Sequence, residues 1–356
     1  MTYEEQVEIL RSAYCEKKLT LYLGAGVSVG NGLPPWEQLV LAMYYSTLSG
    51  PDIGAGLRPF PNYLFAIAEW HLQRRHEPLD ISARKIRSRF HSATDFLKEL
   101  KETLYAGFSI PDSGRFQIPD TYSILEANST LRAVTDLCEN HNDSRALHAI
   151  VTYNYDNLLE FALEGRGIRV QPIWKAKAPA VHDGVLPVYH VHGYVPIEGS
   201  GSSGDELVFT EEQYHLAAHD AYSWSNLVQI QCMSSSTGLM IGLSLSDRNM
   251  RRLLDAIRKT PLRSNNYALM LKPRHQVIGE NDVREIDENA RKYFERFVRS
   301  GIKSDDRVFK EIRAIVKQVE DIDQKAHESI LRELGVWPLW YDDHQQIPEL
   351  IARILA

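Results

Sequence analysis

Leu19-Thr20-Leu21-Tyr22-Leu23 runs straight into Gly24-Ala25-Gly26, and this stretch decides how the rest of the chain is read. Five β-capable, mostly apolar residues in a row fit a strand buried on both faces, as in parallel sheets. Two glycines one residue apart then imply a tight turn at the strand's carboxyl end. Parallel sheets bind ligands at that end, near the point where strand order reverses. A Gly-Ala-Gly turn would let the backbone approach a pyrophosphate closely, with N–H groups and a helix N-terminus facing the anion. The spacing here is Gly24-x-Gly26-x-x-x-Gly30, so the strict G-x-G-x-x-G fingerprint is not met. On pattern alone, a nucleotide-binding turn and an ordinary strand-to-helix turn are equally good readings. Pro34 and Pro35 end the loop stiffly, and the indole of Trp36 could cap a bound base or ring.

Outward from this turn, short apolar runs alternate with helical spacing. Residues 4–18 carry Val7, Leu10 and Tyr14 on one helix face, and a helix is expected from Trp36 to about Leu48. Further strands are expected at Ala149–Tyr153, Val188–His192, Leu239–Leu243, Tyr267–Leu271 and Val336–Tyr341. Helices follow at Leu158–Ala162, around Met250, Leu253, Leu254 and Ile257, and at Ile347–Leu355. Residues 51–61, with three prolines and two glycines, read as loop, and the Gly/Ser run 199–204 as a flexible surface loop. Short strands alternating with helices predict an α/β fold with a Rossmann-like parallel sheet covered on both faces. The chain reads as a single domain over 1–356, with helical insertions at 62–145 and 280–332.

Composition narrows the class. Of 356 residues, 44% are hydrophobic and 24% charged, enough for a full core. Forty basic against 47 acidic residues give a net charge of −7, which argues against non-specific nucleic-acid binding through the whole surface but leaves a local basic face open. Cys15, Cys138 and Cys232 are far apart, with no C-x-x-C, so neither a zinc ribbon nor a disulfide ladder is expected. The acidic start MTYEEQVEIL does not read as a secretory leader, and no apolar run approaches a membrane span. A cytoplasmic location is expected, with no membrane contact.

Two further segments bear chemistry. Thr152-Tyr153-Asn154-Tyr155-Asp156 ends its strand beside the glycine turn. Asn and Asp so placed are often caps of the next helix, a strong reading for Asp156 alone and a weaker one for both together. His192-Gly193 also ends a strand, where a histidine suits ligand chemistry. His190 and His192 alternate onto one strand face, which makes a metal pair a second reading; no third ligand is evident, and no metal is expected.

Together, GAGVSVGNGLPPW (24–36), TYNYD (152–156), HVHG (190–193) and IGLSLSD (241–247) go beyond the separate patterns. In order and approximate spacing they resemble the sirtuin fold. With LVFTEEQY (207–214) and GVWPLWYDDHQQIPELI (335–351), the chain is similar to the bacterial sirtuin-like NAD hydrolases of anti-phage defence, more than to the deacylases. Two departures matter. Deacylases carry a four-cysteine zinc ribbon where Tyr194 through Asp205 stand, and a Pro-Asp-Phe-Arg segment where GLPPW stands. Both put the acyl-lysine groove in doubt and leave the NAD site intact.

The resemblance implies NAD as substrate, cleaved at the nicotinamide–ribose bond. It puts Gly24, Ala25, Gly26 and Ser28 at the pyrophosphate and adjacent ribose, and Asn154 and Asp156 at the nicotinamide-side ribose. His192 becomes the base, and Gly242 with Ser244 hold the adenosine side. Asn154 can orient water or ribose without an ionisable group, and a histidine with an ordinary pKa near 6.5 suits base chemistry at neutral pH. A deacylase lacking the zinc module, or a non-catalytic NAD- or ADP-ribose-binding module, are the alternatives. Draining NAD would harm the host cell, so control is expected through a homo-oligomer and a separate sensor, such as a HerA-type ring-shaped ATPase. No G-x-x-x-x-G-K-[ST] occurs in the sequence. The basic stretch Arg74, Arg75, Arg84, Lys85, Arg87 and Arg89 reads as a solvated helix face before it reads as a docking surface.

Overall fold

The structure, a computed structural model, describes residues 1–48, 61–75, 77–108, 125–139, 145–261, 265–273, 279–294 and 306–356. The chain begins with α1 (Tyr3–Cys15) and β1 (Leu19–Leu23), then two 3₁₀ turns at Ala25–Val27 and Val29–Asn31. Helices α2 (Trp36–Leu48), α3 (Pro61–Arg75), α4 (Leu79–Arg87), α5 (Ala93–Leu104) and α6 (Ser129–Cys138) precede β2 (Ala149–Thr152). Next come α7 (Leu158–Gly165), β3 (Val170–Ile173), β4 (Leu186–His190), α8 (Glu211–His219), α9 (Trp224–Ser235) and β5 (Thr237–Ile241). The chain closes with α10 (Arg248–Arg258), β6 (Asn266–Leu271), α11 (Glu280–Phe294), α12 (Asp306–Glu333), β7 (Val336–Tyr341) and α13 (Ile347–Leu355). Residues 51–60 of the expected loop, with 109–124 and 295–305 of the expected insertions, lie outside the described residues.

Seven strands form one all-parallel, Rossmann-like sheet in the order β3-β4-β2-β1-β5-β6-β7. Alternation along each strand divides the core in two. Leu19, Leu21 and Leu23 of β1, with Ile150 of β2 and Leu239 and Ile241 of β5, pack on α1, α2, α4–α7 and α13. Tyr22, Val151 and Met240 face the other way, onto α9, α10 and the end of α12. The spacing of Met250, Leu253, Leu254 and Ile257 is the buried face of α10, as expected. Among the described residues, no helix is long and apolar enough to cross a membrane.

The register carries the site. Leu23 pairs with Thr152 on one side and Ile241 on the other, and Thr152 pairs with His190. Four loops therefore leave the sheet side by side. From β1 the chain builds β2, β3 and β4 on one side, then crosses to begin β5 on the other. Strand order thus reverses between β1 and β5, where a parallel sheet opens its crevice.

Several expectations are corrected. Strand β3 is unforeseen because it is a half-exposed edge strand containing Pro172, with no apolar run to announce it. Strand β4 ends at His190, two residues early, so His190 and His192 do not share a strand face. Beyond His190 the backbone turns at Gly193 (φ 106°), and alternation no longer applies. The run 199–204 is not a free flexible loop. Ser202 is buried, its N–H donates to Tyr194 O (2.8 Å), and its hydroxyl accepts from Tyr194 N (3.0 Å). A Cβ on Gly204 would lie 2.4 Å from Ala93 O. The basic stretch, by contrast, is a solvated helix face as expected, with Arg74, Arg84, Lys85 and Arg89 exposed and its charges paired along the surface. Arg84 meets Glu211 (2.7 Å), Lys85 meets Glu77, and Arg87 meets Asp205 (3.1 Å). Arg74 lies over the Trp70 ring and Arg89 bonds Thr47; the side chain of Arg75 lies outside the described residues.

Candidate functional site

A cavity of about 670 Å³ opens at the β1/β5 switch point, within the range of small-molecule sites. Gly24, Ala25, Gly26 and Ser28 line it from β1, Asn154 and Asp156 from β2, His192 from β4, and Gly242 and Ser244 from β5. Trp36 lines it from the start of α2, so all ten residues singled out in the sequence meet at one cavity.

The glycines have a steric reason within the protein itself. A Cβ on Gly24 would fall 2.4 Å from Gly242 O, and one on Gly26 would fall 2.7 Å from Gly242 Cα. Gly242 has φ +68°, and its own Cβ would lie 2.7 Å from Val27 N. Gly24 N donates to Ile241 O and Gly26 N to Gly242 O, both at 3.0 Å. The glycines thus interlock two loops across the switch point. Val27 N and Ser28 N also bond within the turn. Among the described residues, Ala25 N–H is one donor the turn leaves unbonded. No α-helix begins here; the chain continues into 3₁₀ turns held by Asn128, whose Nδ2 donates to Val27 O (2.8 Å). Among the described residues, the turn thus opens into 3₁₀ turns rather than an α-helix N-terminus.

Asn154 is oriented through its amide nitrogen, which donates to Gly24 O (3.1 Å) and Ser28 Oγ (3.3 Å). Facing a carbonyl fixes that atom as nitrogen, so Oδ1 is the acceptor left over. The Ser28 hydroxyl donates to Asp156, with both carboxylate oxygens within 3.1 Å. Asp156 Oδ1 also accepts from Leu158 N (3.1 Å), so the capping role is real. Burial pushes the Asp156 carboxyl up to about 6; the Leu158 and Ser28 bonds oppose that, and neighbouring Glu160 adds to it.

Behind Asn154 lies a buried pair. His190 Nε2 is 2.5 Å from Glu160 Oε1, and Nδ1 is 3.2 Å from Asn154 O. Both ring nitrogens face acceptors, so the pair holds one shared proton whichever partner formally carries it.

His192 faces away from this pair. Its ring meets the rings of Tyr153 (5.0 Å between centroids) and Tyr214 (5.7 Å) nearly at right angles, and Nε2 lies 3.4 Å from Asp247 Oδ2. Burial holds the imidazole pKa below its ordinary 6.5, and Asp247 opposes that shift. His192 is therefore neutral at pH 7 with a lone pair to offer.

Trp36 packs edge-on against Phe209 (5.0 Å), which limits its freedom to cap a ring. Ser244 sits on the exposed side, bonded to Ser246 (2.7 Å). At the rim, Asp80 and Arg248 approach to 3.4 Å. Asp247, Tyr153 and Tyr214 were not singled out in the sequence. Asp247 stands in the quoted IGLSLSD, where its place just before a helix reads as a cap; the tyrosines carry no local pattern that separates them from core aromatics. Among the described residues, no group of three or more His, Cys, Asp or Glu could hold a metal ion.

Residues 148–298 match the model of the SIR2-like domain, which supports a sirtuin-like family and NAD-dependent activity in general. The matched span supplies three of the four loops around the cavity, those after β2, β4 and β5. No curated protein matches the chain.

Proposed function

We propose that this protein hydrolyses NAD to nicotinamide and ADP-ribose, depleting NAD in anti-phage defence. The observation that carries the reading is that Asn154 and His192 meet at one cavity on the switch point of a sheet whose matched span is SIR2-like. Cleavage expels neutral nicotinamide from a cationic pyridinium, and the sugar passes through an oxocarbenium-like state. The protein must then position a water, offer a polar oxygen to the developing cation, and accept a proton. Asn154 Oδ1, its amide nitrogen anchored on Gly24 O, is the neutral oxygen for the first two tasks. His192, neutral in its tyrosine clamp, accepts the proton. The glycine interlock holds the β1 and β5 loops against each other, and with them Gly24 O, on which Asn154 is anchored.

The test is incubation of the purified protein with NAD and chromatographic identification of products. Asn154→Ala and His192→Ala, folded by circular dichroism, should each lose about 10²–10⁴ of the rate, the usual contribution of a positioned acid–base group. Wild-type nicotinamide release by both variants would overturn the assignment. Acetyl-ADP-ribose formed with an acetylated peptide would turn the reading to deacylation, and NAD binding without turnover to a binding module.

For partners, we propose self-association through α12, with a separate ATPase or sensor protein as the regulator that the resemblance implies. Ile315, Val319 and Ile322 of α12 follow four- and three-residue spacing, and all are more than half exposed. That spacing is a coiled-coil seam. Residues 306–317 hold four basic and two acidic residues, and 318–333 two basic and five acidic. Opposite halves favour an antiparallel pair with a second copy. Ile322→Glu should halve the mass measured by light scattering; an unchanged mass would exclude this seam.

A further inference from the structure

We propose that Asp247 is the positioning residue of His192, keeping the proton on Nε2 so that Nδ1 carries the lone pair that acts as base. This rests on the reading of His192 as the base.

The two oxygens of Asp247 have separate work. Oδ1 accepts from Met250 N at 2.7 Å and caps α10. Ser, Thr or Asn would cap that helix as well. Oδ2 is buried, accepts no hydrogen bond among the described residues, and lies 3.4 Å from His192 Nε2. A buried carboxylate oxygen with no donor is costly, so its presence calls for a partner that capping does not supply. A small rotation of the imidazole would complete the bond, and such contacts in a free enzyme commonly tighten only with substrate bound.

No other ionised group competes for the ring among the described residues. From β2 comes Tyr153, whose hydroxyl donates to Gln229 Oε1 (2.6 Å); from α8 comes Tyr214; both phenols are held far above their ordinary pKa by burial. Arg248, next to Asp247 in sequence, is paired to Asp80 at the rim. With the carboxylate against Nε2, the tautomer is set as in other histidine–carboxylate pairs. When water attacks the ribose carbon, the carbon–nitrogen bond breaks with its electrons going to nicotinamide. The water proton passes to Nδ1, and Asp247 opposes the charge of the imidazolium until that proton leaves to solvent.

Asp247→Asn keeps an oxygen for the Met250 cap and removes the charge; Asp247→Ser is a second capping variant should the first fold poorly. Histidine-selective ¹⁵N labelling reads the His192 tautomer and titration midpoint without any turnover. Wild type should show Nε2–H. Both variants should show mixed tautomers and a lower midpoint, since the charge opposing burial is gone. In the NAD assay, kcat should fall at least about tenfold while KM stays within about threefold, the pattern of an interaction used in the transition state. An unchanged tautomer and midpoint in a folded variant would overturn the proposal. Absence of nicotinamide release by wild type would instead sink the hydrolase reading, and the nitrogen spectra would still report on the pair.

Discussion

Replacing Asp156 by Asn should stabilise the protein at neutral and alkaline pH and leave it nearly unchanged in acid. The carboxyl is buried and titrates at about 6 in the folded chain against 3.8 in the open chain. A raised folded pKa means the native state holds the proton more tightly than the unfolded state. The group therefore costs nothing below pH 3.8, and the cost grows as pH rises through about 6, where it levels off. At about 1.4 kcal/mol per tenfold, the gap corresponds to about 3 kcal/mol at pH 8. For a chain of 356 residues this is about 4 °C in Tm. Asparagine can keep the geometry, since Oδ1 still accepts from Leu158 N and the new amide can donate to Ser28 Oγ. The assay is denaturant unfolding of both proteins from pH 4.5 to 8.5. An equal gain at both ends would show that ionisation is not its source. A loss at pH 8.5 would show that the Ser28 and Leu158 bonds outweigh burial, and the reasoning would fail.

Three further outcomes follow from the same geometry. His192 is held below pKa 6.5, so the base is intact from pH 8 down to 6.5, and kcat/KM for NAD should fall only in more acid buffer; a midpoint above 7 would contradict the burial argument. Gly242→Ala puts a Cβ 2.7 Å from Val27 N at φ +68° and should cost at least about 1–3 kcal/mol in denaturant unfolding; a smaller cost would mean the β1 and β5 loops are not interlocked. Gly204→Ala meets Ala93 O at 2.4 Å and should cost about 1–3 kcal/mol, whereas a neutral effect would restore the flexible-loop reading of 199–204.

The sheet was legible because buried parallel strands are apolar on both faces. Leu19–Leu23 and Val336–Tyr341 therefore stand out as runs with the bounds found in the structure. Strand β3 escaped because it is half-exposed and carries no such run, whereas β7, at the other edge of the sheet, does. The loop-borne residues Asn154 and His192 were legible from their place at strand ends and from the resemblance. The polar partnerships were not. That Ser28 serves Asp156, that His190 serves Glu160, and that Asp247 faces His192 depend on loops 30 to 130 residues apart meeting in register. The Gly/Ser run misled for a related reason. Composition reports the conformational freedom of a segment, and Gly201 and Gly204 use that freedom to let backbone touch Tyr194 and Ala93.

The same distinction explains the glycine turn. Glycine is required wherever backbone comes close, whether to a ligand or to another loop, and sequence does not say which. Here the close partner is Gly242, and most of the turn's amides are spent on protein carbonyls. The interlock serves chemistry in another way. It fixes Gly24 O, the carbonyl that fixes Asn154, and it fixes the β5 loop that leads to Asp247. One steric constraint between β1 and β5 thus positions both Asn154 and Asp247 at one cavity.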